Sequence, residues 1–592
     1  FMKKINWKAI FKPSSVKADV KKSHILQLVL GLVIIIFLNV IGYFFFARID
    51  LTQEKRYTLS ESSKKLMSNL EDIVFIRCYL EGDIPSEYKK LRNETKEMLD
   101  QFRAYNNDIE YEFVDPNGFE NAKDKNEFYQ RLFEKGFSPL LTTSTNNNSQ
   151  VQQYIFPYLE ITYKGRTTIV PLISSKNGFS SDGIVNASIE NLEYNLYTAI
   201  RSVATQQRGK VAFLYGHGEW QVENIWDFIS SLNEYYTVDS ISINEKLNAL
   251  TERVYDSVNP NLVKIKNKFD CLVIAKPTSI FSYKDLYLID QYIMHGGKVL
   301  WLVDPLLVSM DSLQTQANTF AISNFTGVDD ILFRYGVKLN TNLVTDMQCA
   351  KIPIVTGQYQ NNTPQMTYYP WNFFPEISPN ANHIISDKIS PVKMEFASSI
   401  DTTNSPAKKT VLLSSSNRTR VLNSPVNVSL QMLKQKQDAS LFNSGAKDVA
   451  ILLEGEFSSA FKNRLTPEME LNSQMAYKDF SDTTAMIVIA DGDVVRNDFM
   501  NGQLLPLGYD KYTRKMYGNK EFLVNCVNYL CGDEDLIPLR SREVIMRNLD
   551  LAKVEREKTA WQIVNVALPI VVIVLFGVLL AILRKKTFTK TK

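Results

Sequence analysis

Two uncharged apolar stretches lie near the two ends of this 592-residue chain, and they constrain its fold more than any other feature. The first runs from Ile25 to Ala47 and the second from Ile563 to Leu583. Each has roughly the 20 residues that a helix needs to cross the hydrocarbon core of a bilayer. The sequence therefore predicts two single transmembrane helices and, between them, a large polar region tied to one membrane at both ends.

The charges that flank these stretches predict their orientation. Residues 1–24 carry a net charge of +6 and residues 584–592 carry +5; since the whole chain carries +3, the remainder carries −8. Short basic flanks stay on the cytoplasmic side of a membrane. We therefore expect both termini inside the cell and the acidic region, from residue 48 to about 560, outside it. Its negative charge argues against nucleic acid as a partner.

The first stretch could alternatively be a signal peptide that is removed. Its apolar run is longer than the core of a typical signal peptide, and Phe44 to Arg48 is a poor small-residue cleavage site. The sequence therefore favours an anchor that stays on the protein.

Cysteine and histidine usage limits the chemistry available to the chain. The five cysteines are odd in number and lack metal-binding spacing, so free buried thiols are expected rather than disulfides. Four histidines leave little material for a histidine-based zinc site. The cysteines are Cys78, Cys271, Cys349, Cys526 and Cys531.

The region between the anchors is too long for one core and predicts more than one domain. From residue 48 to 207, strand and helix patterns alternate in the order βαβαββα, which resembles the thioredoxin fold. The loop after the first strand, Glu81 to Ser86, has no Cys-x-x-Cys motif, so redox chemistry is not expected. We interpret this domain as a binding or spacing module.

Residues 208–535 predict a second α/β domain. Buried-type strands at Lys210–Tyr215, Asp270–Ala275 and Lys298–Val303 alternate with helical patterns, which is typical of a doubly wound parallel sheet of the Rossmann-like or amidotransferase-like kind. Ligands of such sheets bind beyond the carboxyl ends of the strands. The loop Gly216–Glu219 and the residue Asp304 are both expected at that edge.

Three interpretations of Gly216-His217-Gly218-Glu219 compete. The glycines could let the backbone approach a ligand that His217 and Glu219 contact, together with Asp304. His217 and Glu219 could be members of a catalytic triad, although Asp304-Pro305 stands where an amidotransferase-like domain would supply its cysteine nucleophile. Finally, the loop could simply turn the chain, with His217 bonded to a neighbouring carbonyl.

The region from Leu306 to Glu521 is harder to interpret, and Gln360–Pro379 is expected to be rich in loops. Asp491-Gly492-Asp493 follows a predicted strand, and its paired acids suit calcium or magnesium, but such sequences are also common in turns. We predict no metal site and no cofactor.

The charged segment 536–562 predicts a helical stem that rises into the transmembrane helix 563–583 and the cytoplasmic tail 584–592. It could be a solvated connector or could dock on a partner subunit. The full layout is a basic segment (1–24), a transmembrane helix (25–47), the two domains (48–207 and 208–535), the stem, the second transmembrane helix and the tail.

Several motifs together resemble GldG, the gliding-motility-associated auxiliary or substrate-binding subunits of ABC transporters in Bacteroidota. They are Asp50–Ser60, Leu214–Glu219, Asp290–Leu300, and Trp561-Gln562 with Pro569. The resemblance implies a partner permease and a cytoplasmic ATPase, in a complex at the bacterial inner membrane with a periplasmic domain. It also implies a central module similar to one in an intraflagellar-transport subunit and suspected of binding carbohydrate. It supplies no catalytic residues.

These observations favour a non-enzymatic auxiliary subunit of an ABC transporter, with a carbohydrate or a periplasmic protein as a possible ligand. The chain has no Gly-x-x-x-x-Gly-Lys-Ser/Thr motif, so ATP hydrolysis must belong to a partner. The alternatives are a structural scaffold of a cell-envelope motility or secretion machine, and a periplasmic glycan or peptide hydrolase that uses His217 and Glu219.

Overall fold

The computed structural model divides the chain into two compact units, Phe1–Thr58 and Leu59–Lys592. It describes residues 26–37, 58–146, 149–173, 181–205, 208–255, 263–358, 364–434, 438–467, 475–500, 502–540 and 551–588. In the first unit the described part is an apolar helix, α1 (Leu26–Phe37). Residues 1–24, 38–47 and 541–550, on which parts of the predicted anchor, flank and stem fall, lie outside the described residues.

The second unit begins with a region built on a four-stranded sheet. Its helices are α2 (Glu61–Ser68), α3 (Ser86–Tyr105), α4 (Ala122–Glu134), α5 (Ser181–Glu190) and α6 (Leu192–Ala204), and its strands are β1 (Val74–Cys78), β2 (Ile109–Phe113), β3 (Leu140–Asn146), β4 (Ser149–Ile155), β5 (Tyr158–Tyr163) and β6 (Arg166–Pro171). The sheet order is β2-β1-β5-β6. The β1–β2 pair is parallel and the other two pairs are antiparallel.

Local sequence signals account for these elements. The Ser60 side chain accepts a hydrogen bond from the Ser63 backbone and caps α2. Helix α3 buries Leu91, Leu99 and Phe102 on one face against the sheet. The thioredoxin-like assignment of this region remains a prediction.

Two segments of this region differ from the sequence expectation. The single strand expected from Gln153 to Tyr163 is two strands, β4 and β5, because Pro157 between them has no N–H group to continue a ladder. The closing helix expected from Ala187 to Ala204 is likewise two helices, α5 and α6, which meet at Asn191.

The larger region contains one ten-stranded sheet and several short ladders. Its strands are β7 (Lys210–Leu214), β8 (Thr237–Ile241), β9 (Thr251–Tyr255), β10 (Val263–Asn267), β11 (Cys271–Ala275), β12 (Lys298–Leu302), β13 (Leu306–Leu307), β14 (Asn318–Ser323), β15 (Val337–Leu339), β16 (Asn342–Asp346), β17 (Cys349–Gln358), β18 (Pro364–Pro379), β19 (Val392–Lys393), β20 (Ile400–Thr402), β21 (Lys408–Ser414), β22 (Thr419–Asn423), β23 (Val426–Ser429), β24 (Asp448–Gly455), β25 (Thr484–Ile489), β26 (Phe499–Met500) and β27 (Gln503–Leu504). Its helices are α7 (Trp226–Asn233), α8 (Tyr283–Met294), α9 (Met310–Thr315), α10 (Val328–Tyr335), α11 (Asn519–Leu530) and α12 (Leu536–Arg540).

The large sheet is mixed rather than entirely parallel. Its order is β17-β18-β21-β24-β25-β12-β11-β7-β8, and β19 pairs with β18. Strands β8, β7, β11, β12 and β25 are mutually parallel, whereas β24, β21, β18 and β17 add in antiparallel pairs. The antiparallel half comes from the region after residue 306, in which strand patterns at 410–413 and 449–453 correspond to β21 and β24. The Rossmann-like assignment of the parallel half remains a prediction.

Helices cover both faces of this sheet. On one face α7 and α11 pack against side chains such as Phe213, Val273 and Leu302. On the other face α8 and α10 pack against the alternate side chains, such as Leu214, Ile274 and Trp301. Because successive strand residues point to opposite faces, the near-continuous apolar strands fill two separate cores.

The segment expected to be loop-rich, Gln360–Pro379, instead contains the 16-residue strand β18. It forms a long hairpin with β17 whose register shifts twice. Prolines at 364, 370, 375 and 379 suggested a loop, since proline cannot donate to a ladder. The aromatic residues Trp371, Phe373 and Phe374 between them are buried and hold the strand in place.

The two ends of the region between the apolar segments meet in space. We call residues 59–540 the body. Near its start, the Ser62 hydroxyl donates to the Asp535 carboxylate at 3.4 Å, and the Lys65 ammonium lies 3.8 Å from the same carboxylate. Asp535 immediately precedes α12, the last described element of the body.

Helix α6 contacts both ends of the body. The Ser60 amide and the Ser63 hydroxyl donate to Glu193 of α6, at 2.7 and 2.8 Å. Leu536 and Leu539 of α12 pack on the same helix, against Tyr194 and Tyr197. The chain therefore enters and leaves the body at one place, on a common support.

The last described element is α13 (Leu551–Phe588), a helix of 38 residues. Its part from Glu557 to Ile582 is long and apolar enough to cross a membrane, and its side chains are exposed. In the first unit, the described helix α1 is apolar but shorter.

Candidate functional site at the carboxyl edge of the sheet

The parallel strands end at one edge of the large sheet, where charged residues collect. The loop 216–219 follows β7, Lys276 follows β11, Asp304 closely follows β12, and Asp491 closely follows β25. Strand β8 lies on one side of β7, whereas β11 and then β12 lie on the other, so the strand order reverses between β7 and β11. Such a reversal opens a crevice in which α/β proteins bind ligands.

His217 lies in this crevice between two carboxylates. Its Nδ1 is 3.2 Å from Glu219 Oε1 and its Nε2 is 3.1 Å from Asp285 Oδ2. The backbone N–H of His217 also donates to Glu219 Oε2 at 2.6 Å. The ring stacks on Phe281 with 3.8 Å between ring centroids. His217, Glu219 and Asp285 are 7%, 4% and 5% exposed, so the triplet is almost completely removed from water.

The charges around His217 determine its protonation. Burial alone lowers the pKa of His217, but hydrogen bonds and charge from Glu219 and Asp285 outweigh it and raise that pKa above its ordinary value. The imidazolium form donates one N–H to each carboxylate. A general base needs a ring nitrogen with a free lone pair. Because both ring nitrogens of His217 face carboxylates, this geometry suits a structural imidazolium better than a catalytic base.

The two glycines allow the loop to pack against the next strand–helix connection. Gly216 and Gly218 have φ values of +119° and +79°. A side chain on Gly218 would collide with the Thr278 hydroxyl, which donates to the Gly218 carbonyl at 3.0 Å. The amides of Thr278 and Ser279 both donate to the His217 carbonyl. Gly218 thus permits a close approach between two loops of the protein, whereas a Cβ atom on Gly216 would lie 3.1 Å from the Ser242 hydroxyl.

Lys276 forms the centre of a second buried cluster. Its Nζ lies 3.1 Å from Asp304 Oδ2 and 2.5 Å from Asp493 Oδ2. Asp304 in turn accepts a hydrogen bond from the Gly492 amide. Asp491 accepts from the Asp493 amide at 2.7 Å. A lysine ammonium therefore occupies the position between carboxylates that the acid-rich sequence suggested for a metal ion.

Backbone geometry brings Lys276 to this position. Its φ of +56° is left-handed, which is uncommon for a residue with a side chain. A Cβ atom on Gly492 would lie 2.6 Å from the Lys276 Cβ, so glycine is required there for the close approach. Trp220 joins the two loops, since its Nε1 donates to the Gly492 carbonyl at 2.9 Å and its ring centroid lies 5.0 Å from Lys276 Nζ.

Two of the three aspartates in this cluster, Asp491 and Asp493, have raised pKa values. Burial, followed by repulsion from Asp304 and Asp493, raises the pKa of Asp491 well above its ordinary value. Burial raises the pKa of Asp493 to about 7, against the attraction of Lys276. The pKa of Lys276 is itself raised, because the attraction of Asp304 and Asp493 exceeds the effect of burial. Within the described ranges no group of three or more His, Cys, Asp or Glu side chains has the geometry to hold a metal ion.

The raised pKa of Asp493 predicts a pH dependence of stability. Since its ordinary value is 3.8, the folded state binds the proton more tightly, and stability falls as pH rises through the window from about 4 to about 7. Between pH 5 and pH 7, deprotonation of Asp493 should lower the free energy of unfolding by about 2 kcal/mol. In urea unfolding, Asp493→Asn should show a smaller decrease in the free energy of unfolding between pH 5 and pH 7 than the wild type shows. Asp482→Asn, which alters an exposed carboxylate paired with Lys478, should leave the fall unchanged; an unaltered slope in Asp493→Asn would contradict the assignment.

Sequence reasoning found some of these residues and missed others. The structure brings His217 and Glu219 together at the expected edge and places Asp304 there in the separate lysine cluster. Asp285 was missed because it lies on the first turn of α8, and Lys276 because a lysine that ends a strand is unremarkable in sequence. The signal available for Lys276 was its position between a buried strand and Pro277.

The structure describes all five cysteines. All five cysteines are free; Cys78, Cys271 and Cys526 are buried, and Cys349 and Cys531 are partly buried. Free thiols agree with the prediction from sequence.

Fold and site together define a mixed α/β protein with closed, buried charge clusters and an apolar C-terminal helix. A family profile described as an ABC-type uncharacterized transport system matches residues 208–526, which is more than half of the chain. The chain therefore belongs to this family of ABC transport system auxiliary proteins. A second profile, a domain of unknown function, matches residues 53–162.

Individual relatives are distant. An uncharacterized protein of Borreliella burgdorferi (strain ATCC 35210 / DSM 4680 / CIP 102532 / B31) is 22% identical over 569 residues, which cover 94% of this chain and 97% of the relative. A solved structure described as mmIFT52 N-terminal domain is 11% identical, with a TM-score of 0.30, and the match covers 54% of this chain and 97% of that one. That TM-score is too low to establish a shared fold.

Proposed function

We propose that this protein is a non-enzymatic, membrane-anchored auxiliary subunit that couples an ABC transporter to a periplasmic ligand or partner. The observation that carries the proposal is the meeting of the two ends of the body on helix α6. Membership of the auxiliary family gives the association with ABC transport components in general. The membrane anchoring, the periplasmic location and the coupling role are the parts of the proposal that go beyond family membership.

The geometry of the chain ends supports two anchors in one membrane. Ser62 and Lys65 near the entry and Asp535 near the exit are in direct contact, so both connections leave the body together. Connections that leave the body at neighbouring points allow two anchors to enter the same bilayer without unfolding the body. The basic flanks, +6 and +5, favour retention of both termini in the cytoplasm.

The C-terminal helix supports a mechanical connection. Helix α13 has 38 residues and is thus about 57 Å long, whereas the hydrocarbon core of a bilayer is about 30 Å thick. It therefore extends beyond the membrane as one continuous helix, with Pro569 in its apolar part. A permease that moved the membrane part of this helix would displace its outer end as well.

The charge clusters at the sheet edge support a non-enzymatic role. Both ring nitrogens of His217 face carboxylates, and the Lys276 ammonium is held between Asp304 and Asp493. These groups neutralise one another, and burial keeps them from water. The hydrolase alternative requires His217 and Glu219 to act on a substrate, and the His217–Asp285 contact opposes it. A ligand-contact role for Gly216–Glu219 and Asp304 stays a prediction.

The narrower role in gliding motility, as in GldG of Bacteroidota, rests on the sequence motifs alone. A scaffold role in a cell-envelope machine would use the same two-anchor arrangement. The two are separated by dependence on ATP: a transporter subunit should change its interactions when the partner ATPase is blocked, and a passive scaffold should not.

Sided labelling tests the proposed topology. Single cysteines replace Lys4, Lys123 and Lys590 in a background in which the partly buried Cys349 and Cys531 are serine. A membrane-impermeant maleimide applied to spheroplasts should label Lys123→Cys, whose side chain is 80% exposed on α4. Lys4→Cys and Lys590→Cys should react only after the membrane is permeabilised. Labelling of either terminal cysteine in intact spheroplasts would refute the topology.

A further inference from the structure

A cavity of about 350 Å³ lies in the antiparallel part of the body, away from any residue that the sequence singled out. It is lined from β16, β18, β22 and β23 and by the turns at 430–434 and 439–442. Its volume is at the lower end of the range, roughly 300–1,000 Å³, that small-molecule sites in proteins occupy. A metabolite-sized ligand would fit it.

The lining combines one cation with neutral groups. The Arg420 side chain is partly buried, and within the described part of the chain its guanidinium has no hydrogen-bond or ion-pair partner. A guanidinium offers five N–H donors in a planar fork that matches a carboxylate with two parallel hydrogen bonds. A single cation suits a singly charged carboxylate better than a phosphate monoester, which carries nearly two negative charges.

Asn372 supplies an oriented acceptor in the same cavity. It is 9% exposed, and its Nδ2 donates to the Asp346 carbonyl at 2.7 Å. This bond fixes the amide, and among the described residues nothing donates to its Oδ1. An amide oxygen without a donor in the wall of a cavity can accept an N–H or O–H group from a ligand. Asn423 and Asn427, which are exposed, add amide groups at the rim.

Aromatic residues complete the lining. Phe373 and Phe442 are buried, at 5% and 6% exposure, and both face the cavity. They provide an apolar surface beside the charged and amide groups. The ligand that matches all three features carries a carboxylate, an N–H donor and an apolar side group.

We propose that this cavity binds a small carboxylate that bears an acylamino group and an apolar side chain, the chemistry of an acylated apolar amino acid or of a peptide C-terminus. Arg420 pairs with the carboxylate, Asn372 Oδ1 accepts the ligand N–H, and Phe373 and Phe442 contact the apolar group. The inference goes beyond the auxiliary role and does not depend on it.

The test uses the full chain in lipid nanodiscs, with N-acetyl-L-phenylalanine and its uncharged amide as probes in calorimetric titrations. The acid should bind at least about tenfold more tightly than the amide, since only the acid pairs with the guanidinium. Arg420→Gln should remove this preference and leave binding of the amide unchanged, which also shows that the cavity is still folded. Arg418→Gln, an exposed arginine that does not line the cavity, should keep the full preference.

Acetyl-Ala-Ala-Phe distinguishes the two sources of the ligand. Binding within threefold of the single amino acid indicates a peptide C-terminus, and at least tenfold weaker binding indicates a free acylated amino acid. The proposal is overturned if the acid does not bind at millimolar concentration, or if Arg420→Gln binds it as tightly as the wild type does.

Discussion

Lys276→Met should lower the free energy of unfolding by about 3–5 kcal/mol at pH 7, because removing one partner of a buried ion pair leaves uncompensated charge. The variant keeps the side-chain length but leaves Asp304 and Asp493 facing each other without the ammonium that lies 3.1 and 2.5 Å from them. The loss should shrink on acidification, since protonation relieves the repulsion. Chemical denaturation of the purified full chain at pH 5 and pH 7 measures both effects.

Lys284→Met is the matched control for this prediction. Lys284 pairs with Glu245 at 2.8 Å, but its side chain is 71% exposed. Exposed pairs contribute at most about 1 kcal/mol, so the control should unfold nearly as the wild type does. If Lys276→Met were equally harmless, the ammonium would not be the group that stabilises the sheet edge.

His217→Phe should also lower the free energy of unfolding by about 3–5 kcal/mol at pH 6, because it removes one partner of two buried charge pairs. Phenylalanine keeps the stacking on Phe281 but leaves Glu219 and Asp285 buried without a donor. Because the folded pKa of His217 lies above its ordinary value of 6.5, its stabilising contribution is complete below pH 6.5 and is lost as pH rises through the folded value. The difference between wild type and variant should therefore be smaller at pH 9 than at pH 6.

A triple variant separates a structural role of His217 from a catalytic one. Adding Glu219→Gln and Asp285→Asn to His217→Phe removes the surplus negative charge and should restore more than half of the lost stability. If the restored protein also supports transport, the hydrolase alternative fails. A cost of His217→Phe below about 1 kcal/mol at pH 6, or one that grows with pH, would contradict the assigned charge state.

The sequence predicts much of the local structure, because local signals determine it. Serine is a favoured helix N-cap, and Ser60 and Ser282 cap the helices that follow them. The carboxyl-edge position of the loop Gly216–Glu219 and of Asp304 follows from apolar strands that end in polar turns. The pair Asp491 and Asp493 was noted as suited to a metal ion, but no metal site was predicted there.

The partners of these residues could not be predicted, because they depend on packing between distant segments. Lys276 reaches Asp493, which is 217 positions later, only because β11, β12 and β25 are neighbours in the sheet. Asp285 reaches His217 because α8 begins above the same crevice. Strand β18 of the antiparallel half was not predicted, because its prolines interrupt the pattern while aromatic packing still holds the strand.

The cavity beside Arg420 was also beyond sequence reasoning. Arg420 and Thr345 are opposite residues on β22 and β16, 75 positions apart, and Phe442 joins them from a later turn. No local motif links these segments. Long-range pairing therefore determines both the edge clusters and the cavity, whereas local patterning determines the helices and strands that carry them.

Affinity purification of the full chain from native membranes tests the central claim most directly. The account predicts that, in mild detergent, the chain carries with it a polytopic membrane protein and an ATPase, in fixed ratio. A variant whose apolar stretch Ile563–Leu583 is replaced by a polar linker should lose both partners while its body stays folded. Recovery of the intact chain alone, or retention of the partners by that variant, would contradict the account.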